Sequence, residues 1–159
     1  MTFRLATQAD HAAVRTMIVD AFAPISWMRR ADRDFGPFNG LDWRERFGRR
    51  VDPFFARGIV LVGETEGVLA AACTGSVDAA SGLGSIEFLA VAPGRQGGGH
   101  GRAMLRAMLS HFRSLGATTA TLECLTSNEP ALALYRSDGW TEVASSVRFF
   151  KRLDGILGE

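Results

Sequence analysis

The chain has 159 residues, 47% of them hydrophobic and 22% charged, a balance that suits one packed domain over 1–159 and argues against disorder. A formal net charge of +1 supplies no broad basic field for nucleic acid, and no apolar run approaches the ~20 residues that cross a bilayer. The N-terminus lacks the basic-then-apolar pattern of a leader, and Cys73 and Cys124 show no C-x-x-C spacing, so free buried thiols in a reducing, cytoplasmic compartment are expected, with no metal site.

In chain order, residues 2–5 read as a short strand, and Thr7 with Asp10 as a capping-box start for a helix whose apolar stripe is Val14, Met17, Ile18 and Phe22. His11, on its first turn, reads as a solvated or locally hydrogen-bonded imidazole. Residues 24–40 read as a loop broken by a short helix. Trp27, Met28, Phe35 and Phe38 are too apolar for an idle surface and should plug the core or wall a cavity. Residues 41–57 return to helix-like content, with Trp43, Phe47, Val51, Phe54 and Phe55 facing inward and Pro53 ending or bending the element. Eight arginines against five acids lie in 24–58; most belong to solvated helix faces, and a minority are free to meet an acidic substrate group or a second subunit.

Runs 59–64 and 68–77 form a hairpin around 65–67, and the turn 78–84 leads to a buried strand at 86–91 in which Glu87 is the one ionisable residue. Pro93 stops that ladder. A helix follows with Met104, Leu105, Met108, Leu109, Phe112 and Leu115 on one face and Gly116 at its close. A strand at 118–125 can then lie parallel to 86–91 through this crossover. A short helix at 130–137, ended by Asp138 and Gly139, and a last hairpin of 140–143 with 147–153 complete the order β-α-α-β-β-β-α-β-α-β-β.

Between the buried strand and its helix, Gly97, Gly98, Gly99 and Gly101 let several N–H groups converge at a positive helix terminus, which makes an anion cradle. Two nucleotide fingerprints fail there. G-x-G-x-x-G started from Gly97 ends on Arg102, and started from Gly99 ends on Met104; no lysine follows any of these glycines as a phosphate loop requires. A nucleotide-binding α/β protein is thereby disfavoured. What remains is V-x-P-x-x-Q-x-x-G-x-G, filled by Val91, Pro93, Gln96, Gly99 and Gly101, and it resembles the acetyl-CoA signature of the GNAT superfamily of N-acetyltransferases. Asn128, Ala131, Leu134, Tyr135, Gly139 and Trp140 resemble the family's N-x-x-A-x-x-L-Y-x-x-x-G-F/W segment.

The resemblance covers nearly the whole chain and implies an α/β (α+β) GNAT fold: a mixed central sheet of six to seven strands with about four helices. It implies acetyl-CoA as co-substrate. The main chain of Leu89, Ala90 and Val91 should hydrogen-bond the pantetheine arm at an unpaired strand edge, and the amides of Arg95, Gln96, Gly97, Gly98, Gly99, His100, Gly101 and Arg102 should hold the pyrophosphate, with Asn128 and Tyr135 on the far side. Gly98 stands where the family often carries a cation, leaving Arg95 or Arg102 to compensate. His100 is either an added charge beside phosphate or a tolerated exposed side chain.

Two residues are candidates for proton transfer. Tyr135, the only tyrosine, matches the family position that protonates the departing thiolate; otherwise it anchors its helix in the core. Glu87, inside an otherwise apolar strand, should have its pKa raised toward neutrality by burial unless a partner holds its charge, and suits a general base for an amine; otherwise it is a structural carboxylate hydrogen-bonded to neighbouring backbone or to an arginine. Ser85 shares its face, and the N–H near Val91 would meet the oxyanion. The implied activity is N-acetyl transfer from acetyl-CoA to a primary amine, a small molecule or a peptide N-terminus, by direct attack in a ternary complex, since neither cysteine lies in a nucleophile motif. The alternative is a non-catalytic acyl-CoA-binding sensor or scaffold of the same fold. Neither nucleic acid nor membrane is an expected partner, and the chain is expected to be a monomer or a homodimer.

Overall fold

A computed structural model describes residues 1–153 of the protein. After β1 (Thr2–Leu5) a single 3-10 turn leads into α1 (His11–Phe22). The expected capping box is present: the Thr7 N–H donates to Asp10 Oδ2 (2.7 Å), and the Arg4 guanidinium reaches both Asp10 oxygens (2.8 and 2.9 Å). Val14, Met17 and Ile18 of α1 are buried.

Three more helices follow, where the sequence pattern predicts one short helix in a loop and one bent helix. α2 (Trp27–Phe35) starts at Ser26, whose Oγ accepts from the Arg29 N–H (3.4 Å), and stops at Gly36 in left-handed conformation (φ 81°). α3 (Trp43–Gly48) is capped by Asp42, which accepts from the Glu45 N–H (2.9 Å). Pro53 opens α4 (Asp52–Arg57), its missing N–H costing nothing in a first turn. With α5 (His100–Ser114) and α6 (Glu129–Ser137) the described residues hold six α-helices, against the four expected. The excess comes from start signals at Ser26, Asp42 and Pro53 that divide 24–57.

The sheet has the order β1-β2-β3-β4-β5, with β2 (Ile59–Thr65), β3 (Val68–Asp78), β4 (Leu83–Val91) and β5 (Thr119–Leu122). Pairing is antiparallel through β4, and β5 runs parallel to β4. Glu66 (φ 56°) and Gly67 (φ 73°) supply the two left-handed residues that a tight β2–β3 hairpin needs. Because both faces are covered, successive residues feed different cores. Val60 and Val62 join Val14, Ile18, Phe47, Val51 and Phe88 under α1 to α4, while Leu61 joins Ala71, Cys73, Ile86, Met104, Leu105, Met108 and Phe112 under α5. Gly75 exists to admit the Phe112 ring: a Cβ there would stand 2.6 Å from Phe112 Cζ. Leu115, expected on the apolar face of α5, is 48% exposed because the helix has already ended at Ser114.

Five strands form among the described residues, in place of six to seven, and the last hairpin of 140–143 with 147–153 is absent. β5 is too short to template it. Its strand ends at Leu122, so Cys124 lies beyond the sheet and is only half-buried. The C-terminal segment is held by rings instead: Phe150 packs among Trp27, Phe35 and Phe38 (centroids 5.8, 5.7 and 6.1 Å), Arg148 lies 4.2 Å over Trp27, and Arg152 donates to the Phe35 carbonyl (3.1 Å). Trp27, Phe35 and Phe38 therefore close on an aromatic partner, Trp27 also packs against the α1–α4 core and Met28 belongs to it, so of the two expectations plugging is met and a cavity wall is not.

Candidate active site

β4 and β5 pair only from Leu83↔Thr119 to Ile86↔Leu122. After Leu122 the chain leaves the sheet, while β4 continues along β3 to Val91. The Ala92 N–H donates to the Ala70 carbonyl (2.9 Å), so the alternation of an antiparallel ladder turns the polar groups of Ala90 toward β3 and those of Leu89 and Val91 toward the open edge. Of the three main-chain positions expected there, Leu89 and Val91 thus have free groups and Ala90 does not.

The open edge runs directly into the glycine loop. Gly94, Gly97 and Gly99 have φ of 81°, 82° and 78°, which side-chain-bearing residues rarely adopt. Among the described residues no main-chain N–H from Gln96 through Arg102 finds a backbone acceptor; the first to do so is that of Ala103, which returns to the Gly99 carbonyl (3.0 Å). These unpaired donors sit at the positive end of the fifteen-residue α5. A Cβ on Gly101 would lie 3.6 Å from both Val91 Cγ2 and Leu134 Cδ2, so the strand end, α5 and α6 converge on this glycine.

The cations around the loop divide. Arg102 donates to Asp138 (3.1 Å) and Ser137 Oγ (2.6 Å), and Arg106 donates to the same Asp138 (3.3 Å), whose side chain is 8% exposed. Arg102 thus ties α5 to the end of α6. Arg95 is half-buried and makes no ion pair among the described residues. His100 opens α5, half-buried, with its ring beside Gly98. Asn128 precedes α6 and accepts from the Leu132 N–H (3.0 Å).

Tyr135 is half-buried on α6, against the α5-side core and 6.1 Å from Trp140 between ring centroids. Burial pushes its phenol up, and the neighbouring Cys124 and Cys73 push the same way, so it holds its proton through the neutral range. Burial likewise pushes both thiols up, Cys73 being fully buried, which keeps them protonated and poorly nucleophilic.

Glu87 departs from its expectation. The pairs Thr74↔Phe88 and Gly75↔Ile86 leave it without a partner on β3, as the extra residue of a β-bulge, and the buried Thr74 hydroxyl accepts from the Phe88 N–H (3.2 Å) to hold that bulge. The bulge turns the carboxylate outward: its side chain is 39% exposed, and the burial anticipated for it is not found. Arg50, between α3 and α4, donates to Glu87 Oε1 through Nη2. The same guanidinium lies 5.2 Å over Phe88 and 5.7 Å over Phe47. Ser85 is half-buried on β4.

Sequence reasoning did not single out Arg50 or Asp138. For Arg50 the only local signal is its distance of three residues from Phe47, which a turn closes through the Arg50 N–H and the Phe47 carbonyl. Nothing local marks Asp138, whose partners come from another helix. An open groove of about 510 Å³ between α1 and the ends of β3 and β4, lined in part by Thr16, Asp20, Leu69, Ala92 and Pro93, touches the start of the loop but neither Glu87 nor Tyr135. We place the site on the free backbone groups, because they carry the binding chemistry.

Residues 24–140 match the profile of the acetyltransferase (GNAT) family. The chain belongs to that family. The acyltransferase class and the acetyl-CoA co-substrate expected from the signature agree with this membership. A GNAT acetyltransferase from Brucella melitensis in complex with acetyl-CoA has the same fold, with TM-score 0.64 and 23% identity over 89% of this chain and 82% of that one. The ribosomal-protein-S18-alanine N-acetyltransferase of Escherichia coli is similar in fold, with TM-score 0.70 and 22% identity over 96% of this chain and 85% of that one. Among curated relatives, a mycothiol acetyltransferase from Streptomyces avermitilis is 32% identical over 100 residues, 63% of this chain and 32% of its own length. The GNAT chain therefore spans about a third of the length of that relative. No helix among the described residues is long and apolar enough to cross a membrane.

Proposed function

We propose that the protein transfers the acetyl group of acetyl-CoA to a primary amine by direct attack in a ternary complex. One observation carries this reading: the open edge of β4 ends on a run of unpaired amides at a helix terminus, so a strand-like amide arm and a pyrophosphate have adjoining places in the order CoA requires. When bound, acetyl-CoA supplies the activated thioester carbonyl. Leu89 and Val91 offer main-chain groups to the pantetheine amides, and the amides from Gln96 to Arg102 offer donors to the pyrophosphate, with Arg95, rather than Arg102, the cation left to support it. The Val91 N–H faces the edge where negative charge develops on the carbonyl oxygen.

Glu87 receives the ammonium of the acceptor and takes its proton, directly or through water. Tyr135 gives its proton to the sulfur as the carbon–sulfur bond breaks, and regains one from solvent. Neither cysteine serves as an intermediate acyl carrier, since both are held as thiols. The acceptor is a small-molecule amine or a peptide N-terminus. The mycothiol acetyltransferase relatives support a small-molecule amine.

The test is thiol release from acetyl-CoA over a panel of amines, amino acids and N-terminal peptides. Release with a defined acceptor is expected. Acetyl-CoA binding without release for any acceptor would favour the sensor or scaffold, and failure to bind it would remove both.

A further inference from the structure

The ion pair at the bulge is incomplete in a specific way. Arg50 uses Nη2 toward Glu87 Oε1, while its other guanidinium donors and Glu87 Oε2 have no hydrogen-bond partner among the described residues. The two side chains are 38% and 39% exposed, so water or a ligand reaches both. Arg50 is nevertheless restrained, because its guanidinium carbon lies over the rings of Phe88 and Phe47 and its main-chain N–H donates to the Phe47 carbonyl (3.0 Å). Cationic donors left free on Arg50 therefore stand beside a free anionic acceptor oxygen on Glu87, both partly exposed.

The sum of these charges is zero, so the pair offers a simple alkylammonium little net attraction. A molecule with an ammonium and a carboxylate on the same carbon matches both halves at once, its carboxylate receiving charge-assisted hydrogen bonds from a guanidinium shaped for that geometry. We propose that the Arg50–Glu87 pair selects acceptors with a carboxylate beside the reacting amine, of the α-amino-acid type, with Arg50 holding the carboxylate and Glu87 the ammonium. This rests on the reading that Glu87 meets the acceptor amine.

The experiment compares each amino acid with its decarboxylated amine: L-phenylalanine with 2-phenylethylamine, and L-leucine with 3-methylbutylamine. Thiol release is measured for the native protein and for the Arg50→Met and Arg50→Lys variants. The native protein should favour the amino acid by about tenfold or more in kcat/KM, chiefly through KM, as expected for a charge-assisted carboxylate contact. In Arg50→Met the ratio should collapse toward unity, and Arg50→Lys should recover part of it. A native ratio at or below unity overturns the proposal. So does an equal loss for both members of each pair in Arg50→Met, which would make Arg50 only a positioning residue for Glu87.

If acetyl-CoA binds and no acceptor turns over, the acetyltransferase reading fails separately. Ligand-observed NMR of L-phenylalanine on the CoA-saturated protein then decides the present point. Binding lost in Arg50→Met supports it, and no binding to the native protein, or equal binding to both, overturns it.

Discussion

The two sides of β4 are built from different materials. Toward α5 and α6 the candidate donor site is mostly main chain: the open edge at Leu89 and Val91, the amides from Gln96 to Arg102, and glycines in left-handed conformation. Toward α1 to α4 the candidate acceptor site is made of side chains, Glu87 on its bulge, Arg50 on its rings, and a C-terminal segment seated on Trp27, Phe35 and Phe38. A backbone site accepts any side chain that leaves the turn intact, so its chemistry stays the same while its neighbours vary. A side-chain site changes its ligand with one substitution. Donor and acceptor recognition can therefore be broken independently.

Tyr135→Phe should have the largest effect, because it removes the proposed proton donor while leaving the ring in the core. Turnover should fall about a hundredfold, the lower range for a general acid, with acetyl-CoA affinity changed little. Steady-state kinetics beside calorimetric binding would show this; unchanged turnover would remove the residue from the acid role. Because burial raises the phenol, no loss of activity from its ionisation should appear between pH 7 and about its ordinary value of 10.

Gly99→Val attacks the donor side only. A β-branched residue at φ 78° costs roughly 1–2 kcal/mol, so acetyl-CoA should bind about tenfold more weakly or worse, with acceptor preference retained. Glu87→Gln is its counterpart: kcat/KM for the amine should fall while acetyl-CoA affinity holds. If Glu87→Gln weakened acetyl-CoA as strongly as Gly99→Val does, the two sides would not be separable.

Smaller effects belong to the frame of the acceptor side. Phe150→Ala should cost about 1 kcal/mol, from lost aromatic contacts at a part-exposed site, and should speed proteolytic cleavage within 141–153. Asp10→Asn should cost about 1 kcal/mol at pH 7 through loss of the carboxylate at the start of α1. The Arg4 guanidinium, and then the Thr7 N–H, hold the Asp10 carboxyl well below the usual carboxylate range. That stabilisation is fully present above the unfolded value near 4 and is lost as pH falls toward the folded one. Thermal melts of the variant and the native protein should therefore converge in acid, and a gap independent of pH would refute the assignment.

The donor side was legible because its determinants are consecutive. A strand-forming run, a proline, four glycines and an amphipathic helix each state their own local conformation, and their succession creates the unpaired amides without help from distant residues. The acceptor side was read less well. Glu87 stands out as the ionisable residue of its strand, but no local signal marks it as exposed, since the bulge that turns it out depends on how β3 registers against β4. Its partner Arg50 is 37 positions away, among many arginines of similar surroundings. The four helices between β1 and β2 could have been separated from Ser26, Asp42 and Pro53.

The terminal hairpin failed for a different reason. Residues 140–153 carry strand-forming side chains, but a strand needs an edge, and β5 ends after four residues. With Phe150 drawn to the rings of α2, Val143, Val147 and Phe149 remain exposed (92%, 78% and 87%).

Sequence by itself therefore determined the order of the elements from β2 to α6, the glycine loop and the family, because local dihedral preference and hydrophobic period act over a few residues. Tertiary structure alone decided that the β4–β5 edge opens after Ile86, that Ala90 turns away from that edge, that Arg102 serves Asp138, and that Glu87 stands exposed beside Arg50. Each of those outcomes depends on register or on charges brought together from remote positions, and a pair energy of that kind exists only once the chain has closed around it.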